Sequence, residues 1–367
     1  MIRKASSANS NLTEALAEVS RELHCNDACL SLVFLGTDLS NEQLQAELVN
    51  SFGGAPVIVC TTAGEISPGG FQLGSVCGVS FPKSHFLSTI CEIEKVDEFS
   101  DETMQKLRGS IQASDAHRSK LGSAAKSIAL LFIDGMSQQE EYVASYLSLL
   151  LKEIPLVGGS AGDNLTFQRA RIFFDGKVRQ SSAVVALLTT LVPFRIFKTQ
   201  HFSKGDLPLV VTGADADTRR INEINGETAA TAYAKAIGIE RETLNSEVFS
   251  ANPLVINIGG ELYVRSIMQM NENGSFTLAC SIEEGLVLTI ANKHSLIDET
   301  EKAFAELEAE LGTLELSLFF ECIHRRIEIE SFSDSSKMKY FDFYKRVSAL
   351  GFYTYGEQYC GLHINQT

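Results

Sequence analysis

The chain has 367 residues, with 46 acidic against 31 basic side chains for a formal net charge of −15, and it is 44% hydrophobic and 21% charged. That length suggests two domains or one large one, at roughly 100–200 residues per domain, and the composition is that of a globular protein. An acidic field with no basic cluster beyond "HRRIE" at 324–328 argues against nucleic acid and anionic membrane as partners.

The N-terminal "MIRKASSANSNLTEAL" has a basic start but no apolar segment behind it, so it does not read as a secretory signal. The longest apolar run, "SAVVALLTTLVPF" at 182–194, is too short to span a bilayer. A soluble, cytoplasmic protein is expected. Eight cysteines are scattered at 25, 29, 60, 77, 91, 280, 322 and 360. Only Cys25 and Cys29 are close, without the second pair a zinc site needs, so reduced core cysteines are expected.

In chain order, the first strong pattern is a repeat. "SLVFLGTDLSNEQLQAELVNSFGGAPVIVCTTAGE" at 31–65 runs parallel to "IALLFIDGMSQQEEYVASYLSLLLKEIPLVGGSAGD" at 128–163. Each begins with an apolar strand, offers a capping-box helix start (Ser40 with Gln43, Ser137 with Glu140) and carries one apolar helical stripe. Each then passes a proline into a buried strand that ends in [TS]-A-G-[ED]. Two further strands follow in each copy, at 74–81 and 86–96, and at 181–190 and 194–202. Residues 28–96 and 126–202 therefore read as two copies of a β-α-β-loop-β-β unit, joined by a helix and loop over 97–125.

From about 205 the texture changes to a hairpin ending at Asn225-Gly226, a helix through Ala234, strands at 254–258, 261–268 and 275–282, a helix near 304–311, a strand at 314–323 and a helix around 336–348. The expected fold class is α/β in the mixed α+β sense. Two domains, 1–204 and 205–367, would carry mixed sheets with flanking helices.

Gly158-Gly159-Ser160-Ala161-Gly162 matches G-x-S-x-G, but a nucleophile elbow needs a strand-to-helix turn, and the following "DNLTFQRARIFF" reads as loop and strand. A hydrolase is therefore disfavoured and no enzyme is expected. Phosphate binding is disfavoured too, because neither [TS]-A-G-[ED] loop opens a helix and each ends in a carboxylate. Glu65 and Asp163 either bond their own loop amides or face a ligand. No histidine spacing suggests zinc.

The strings "TTAGEI", "IDGMSQQEE", "IPLVGGSAGDN", "FKTQHF", "INEINGETAATAYA", "YVRSI", "EEGLVLTIA", "ECIHRRIEIE" and "GFYTYGEQYCGLHINQT" together resemble the bacterial FIST proteins, with a FIST N-domain and then a FIST C-domain over nearly the whole chain. Within that family the chain looks most like the NosP group of nitric-oxide-sensing haem proteins. The resemblance implies a sensory signal-transduction protein carrying haem b, responding to NO and regulating a histidine kinase or a cyclic-di-GMP enzyme in biofilm control, with homodimerisation allowed. The family carries an apolar residue where this chain has His324, so no shared role passes to that histidine. The family's last segment also continues beyond "NQT", so a clipped or divergent end is expected.

Position and chemistry, and not the resemblance, nominate His363 first and His201 second as axial ligand to a haem iron, with Cys360 or a tyrosine of "FYTYGEQY" behind them. If the ligand is another small molecule, such as an amino acid, the pocket candidates are Glu65, Ser160, Gly162, Asp163, Arg265, Tyr355, Glu357 and Asn365.

Overall fold

The computed structural model describes residues 1–39, 43–258 and 260–366. Its contacts divide the chain into two compact units, and not by one cut after residue 204. The first unit takes 1–197, 304–323 and 338–363; the second takes 198–303, 324–337 and the segment from Ile364 onward. Each is a mixed α+β body, as expected of the fold class.

In the first unit both copies of the repeat begin as read. Strand Ala28–Gly36 pairs in parallel with Val57–Thr62 through the Leu44–Phe52 helix, and Lys126–Asp134 pairs in parallel with Leu156–Ala161 through Glu140–Leu151. Parallel neighbours need such a crossover, and the near-continuous apolar strands suit burial on both faces.

A third copy, not anticipated, closes the set. Ser317–Cys322 pairs in parallel with Ala349–Thr354, and helices Ile323–Glu330 and Asp334–Arg346 lie in the crossover. The strand then ends in Thr354-Tyr355-Gly356-Glu357, the counterpart of Thr62-Ala63-Gly64-Glu65 and Ser160-Ala161-Gly162-Asp163. After each such loop the chain makes a short hairpin arm: Glu65–Ser67 with Gly70–Gln72, Ile172–Phe174 with Lys177–Arg179, and Glu357–Tyr359 followed by Leu362–Ile364.

Each arm is donated to another copy, and the donation is cyclic. The first arm pairs antiparallel with the third copy's strand (Phe352 opposite Glu65), the third arm with the second copy's strand (Glu357 opposite Gly159), and the second arm with the first copy's strand (Ile172 opposite Cys60). Three sheets result, each built around one copy's parallel pair and another's arm, and two of them add a further strand pair, Arg3–Ser7 with Val76–Pro82 and Ala183–Thr190 with Phe86–Ile93. Phe34, Phe132 and Phe320 occupy the same place in the three copies, two residues before each first strand ends. They meet in one aromatic cluster: Phe34 to Phe132 at 6.2 Å, Phe132 to Phe320 at 5.9 Å, with Phe352 4.8 Å from Phe34 and 5.7 Å from Phe320. Tilted ring pairs at these separations add about 0.5–1.5 kcal/mol each beyond area burial.

Three local expectations change. Ser137 forms no capping box: its hydroxyl donates to the Asp134 carbonyl and accepts from the Gln139 amide, ahead of a helix that starts at Glu140 without a side-chain cap. The matching Ser40 box involves a residue outside those described. The strand expected over 194–202 is absent before Phe202. There the Arg325 guanidinium takes both the Thr199 hydroxyl and its carbonyl, each at 2.8 Å, so that carbonyl is held by a side chain and not by a strand ladder.

The second unit is built on an antiparallel sheet in the order Glu261–Arg265, Leu254–Ile258, Val287–Ile290, Pro208–Asp215, Arg220–Ile224, Phe276–Leu278, Ile267–Met270. Asn225 and Gly226 both take positive φ, as a two-residue hairpin turn requires. Helix Ala229–Ile237 lays Tyr233 edge-on against Phe249 and Phe276, which anchor the core of this unit.

Candidate ligand site

The three acid loops are the first place to look, and their acids are occupied by their own loops. Glu65 accepts from the Thr62 hydroxyl and from both the amide (2.9 Å) and hydroxyl (2.7 Å) of Ser75. Asp163 accepts from the Thr166 hydroxyl, the amides of Phe167, Gln168 and Arg169, and the Tyr355 hydroxyl. Glu357 accepts from the Thr354 hydroxyl at 2.6 Å. In the first and third copies the glycine amide donates back to the threonine at 3.2 Å, one motif made twice.

The electrostatics of the two acids nonetheless differ. Burial pushes Glu65 up to about 7, past the pull of its hydrogen bonds. For Asp163 burial pushes the same way, but its many donors outweigh it and hold the carboxyl below its ordinary value.

The loops also meet each other. A Cβ on Gly162 would lie 3.1 Å from the Tyr355 ring and 3.3 Å from the Ala63 Cβ, so glycine there is what lets the loops close together. Ser160 is fully buried and its hydroxyl accepts from the Gln358 amide at 2.9 Å. The same Gln358 nitrogen lies 3.3 Å from His363 Nδ1. Ser160 is therefore tied to an amide, and its strand leads through an irregular segment into another strand and not into a helix. The His363 ring rests on Gly356, where an added Cβ would lie 2.1 Å from its Cε1. Cys360 is exposed.

Among the described residues, buried polar atoms without a partner occur in the first unit, at Ser31, His117, Ser182 and Gln358 Oε1, and in greater number in the second. Four residues apart on the Ile323–Glu330 helix, His324 and Glu328 each hold a partner. Gln366 Nε2 donates to His324 Nδ1 at 2.6 Å, and burial holds that imidazole down at about 4, hence neutral. Glu328 meets His201 Nε2 at 2.9 Å and Lys293 Nζ at 3.0 Å. Burial lowers His201 in spite of that carboxylate. Burial would raise Glu328, but His201 and Lys293 outweigh it and keep it ionised.

Neutral His201 thus donates its Nε2–H to the Glu328 carboxylate in a hydrogen bond and keeps a lone pair on Nδ1, which is buried without a partner. Both amide atoms of Asn365 are likewise buried and partnerless, as are Gln366 Oε1, Arg265 Nε and Ser266 Oγ. Of the nominated residues, then, Glu65, Ser160, Gly162, Asp163, Tyr355, Glu357 and His363 fall in the first unit, and His201, Arg265 and Asn365 in the second. Sequence reasoning missed Glu328, Lys293 and Gln366. Only the "HRRIE" run and the terminal "NQT" marked their neighbourhoods.

Haem b can be tested against these residues. An axial imidazole needs a free lone pair, commonly with its other nitrogen held by a carboxylate, and His201 has both. The space does not fit: His201 and His363 are 1% and 5% exposed, and His363 is pressed against backbone. A surface cavity of about 590 Å³, lined by residues such as Arg21, His24, Asp27 and Asn50, contains none of the candidates. Among the described residues no cluster of three or more His, Cys, Asp or Glu could hold a metal ion, and no helix is long and apolar enough to cross a membrane.

Fold and site together define a two-unit α+β protein whose second unit buries several polar groups that no other side chain or backbone group bonds. The FIST N domain family matches residues 29–227, over half of the chain, and the FIST C domain family matches 229–360. The chain belongs to the FIST family, whose domains are sensory signal-transduction domains. Among curated proteins no sequence matches it.

Proposed function

We propose that this FIST protein senses a small polar molecule bound in its second unit, and reports occupancy by contact with a histidine kinase or a cyclic-di-GMP enzyme. The observation that carries this reading is Asn365, whose carbonyl and amino group are both buried with no partner. Leaving such groups unsatisfied costs about 1–3 kcal/mol each, and a ligand that bonds them recovers that cost. A metabolite screen by thermal unfolding of the whole chain tests it. A compound binding the folded state at a hundred times its Kd adds about 2.7 kcal/mol, and a screen in which nothing raises Tm sinks the reading.

A second reading is nitric oxide sensing through haem b, as in the NosP group, and it is favoured by the lone pair on His201 Nδ1 with Glu328 behind it. It requires the second unit to open around His201. Reconstitution with hemin would give a Soret band that shifts with NO and is lost in His201→Ala but kept in His363→Ala. A band lost only in His363→Ala would move the ligand to the first unit.

A further inference from the structure

The three copies of the first unit are not equally complete. In the first copy, Val76–Pro82 follows the arm and lies antiparallel beside Ala28–Gly36; in the second, Ala183–Thr190 follows the arm and lies antiparallel beside Lys126–Asp134. Each of these closing strands is also paired on its far side, by Arg3–Ser7 and by Phe86–Ile93. In the third sheet Ser317–Cys322 is the last strand, and among the described residues no strand pairs with its outer edge.

Equivalent residues register the difference. Leu32 and Phe34, and Leu130 and Phe132, are at most 3% exposed, whereas Leu318 and Phe320 in the same places are only partly buried. The backbone of these two residues faces the open edge. Ser317 donates its amide to the Ser348 carbonyl, on the paired side, as Ser31 does to Pro56 and Ala129 to Pro155, and successive residues of a strand turn their amide and carbonyl groups to opposite sides. In the closed sheets the matching residues stand opposite Val79 and Cys77, and opposite Ala186 and Val184.

The segment that would flank a third closing strand is present too. Phe86–Ile93 follows the first closing strand and pairs with the second; residues 192–197 follow the second and have no third to pair with. Val192, Phe194 and Ile196 are nonetheless partly buried while Leu191, Pro193 and Arg195 are exposed, the alternation of a strand. Phe304 touches both this segment and the open strand, 5.1 Å from Phe197 and 5.6 Å from Phe319.

An unpaired edge needs no preformed cavity to take another strand: main-chain hydrogen bonds hold it, and alternate side chains set the choice. The existing closing strands show which side chains fit. Towards the shared core they turn Cys77, Val79 and Phe81 in the first copy and Val184, Ala186 and Leu188 in the second, two compact apolar residues and then a large one. Their counterparts across the gap are Phe320, Leu318 and Leu316, which pack on the same core. Pairing with the same edge of a second copy would set Leu and Phe where the closed sheets hold Cys, Val and Ala, so a different sequence suits the place. We infer that the third sheet is a strand acceptor, and that an extended, uncharged segment of a partner protein with this compact-compact-large alternation docks antiparallel along Ser317–Cys322. The surface lies in the first unit and is independent of the ligand taken by the second.

The probe is a fluorescent peptide copying Ala183–Thr190, with lysines added at both ends for solubility, titrated into the full chain and followed by anisotropy and amide exchange. Saturable binding is expected, with slower exchange at Leu318 and Phe320 and none of that change at Phe319. Methylating the peptide nitrogens at the Val184 and Ala186 places removes two donors to the edge and should weaken binding on the order of tenfold or more. Peptide carrying Val184→Asp and Ala186→Asp should not bind, because it would bring charge to an apolar core.

No saturable binding, equal binding of either altered peptide, or slowed exchange elsewhere than along Ser317–Cys322 overturns the proposal. If Leu318 and Phe320 are protected before peptide is added and light scattering shows a dimer, a second copy holds the edge and the partner assignment falls. It falls equally if the free peptide fails but the same sequence, joined after Thr367, raises Tm, since the strand is then one that the chain itself supplies.

Discussion

Glu65 and Asp163 align in sequence and sit at the same step of their copies, yet burial wins at one and hydrogen bonding at the other. Glu65 has no cation beside it and only Thr62 and Ser75 to bond, so its carboxyl rises to about 7. In the unfolded chain it titrates near an ordinary glutamate, about 4.3. The folded state therefore holds the proton more tightly. The group's contribution is complete below the unfolded value and is lost as pH rises toward 7, by about 4 kcal/mol.

Glu65→Gln should remove this loss, so its urea midpoint would move less between pH 5 and pH 8 than that of the native protein. Equal movement in the two proteins would show that the folded state holds the Glu65 proton no more tightly than the unfolded chain does. Asp163 has the opposite sign. Its lowered carboxyl stabilises the fold above the unfolded value and loses that contribution as pH falls through the folded one. Asp163→Ala strips acceptors from the Phe167, Gln168 and Arg169 amides. A cost of about 2–4 kcal/mol is expected from bonds to a charged group, read by denaturant unfolding at pH 7, together with faster amide exchange over 163–171.

At the scale of elements, the T-x-G-E step is a small device for turning a buried strand into an arm. The threonine hydroxyl ties down the acid three residues on, and the glycine amide ties down the threonine. Its bonded form is made in the first and third copies, while Ser160-Ala161-Gly162-Asp163 keeps the place without those bonds; the first two of the three steps are legible in sequence, because Ala-Gly-acid follows matching strands and helices. The third is masked because Tyr355 replaces the alanine, the whole second-unit sheet intervenes, and its crossover holds two helices instead of one. The arms themselves escape notice, since three-residue strands are too short to show a period of two. The site is less legible still: Asn365 and His201 are nominated, but Glu328 and Gln366 become meaningful only once the chain brings them to one helix face.

Gly356 tests how tightly the third step is packed. An added methyl would overlap the His363 ring, and overpacking of this kind costs about 1–3 kcal/mol. Gly356 also takes φ +158, so Gly356→Ala should cost more in the native background than in His363→Ala, where the ring is gone and the backbone strain remains. An unchanged cost in both backgrounds would place the strain elsewhere.

For the whole molecule, the cyclic exchange of arms means that the first unit cannot be closed by its N-terminal residues alone. Without the segments after 304, strand Leu156–Ala161 loses its Glu357–Tyr359 partner, arm Glu65–Ser67 loses Ala349–Thr354, and the aromatic cluster loses Phe320 and Phe352. The long excursion into the second unit leaves near Phe197 and returns near Phe304, whose rings lie 5.1 Å apart. Ends that close resemble those of an inserted domain, although 324–337 and the segment from Ile364 onward also belong to the second unit. Two truncations should therefore behave in opposite ways. Residues 1–204 expressed alone would expose unpaired strand edges and aggregate. A chain joining Phe197 to Phe304 through a short Gly-Ser linker, with 198–303 removed, would keep the strand pairings of the three-copy body and unfold cooperatively, at a lower midpoint because Arg325 and Glu328 lose Thr199, His201 and Lys293. Light scattering and denaturant unfolding of the two shortened proteins decide the matter, and a monomeric, cooperative 1–204 would show that the N-terminal copies close without the third.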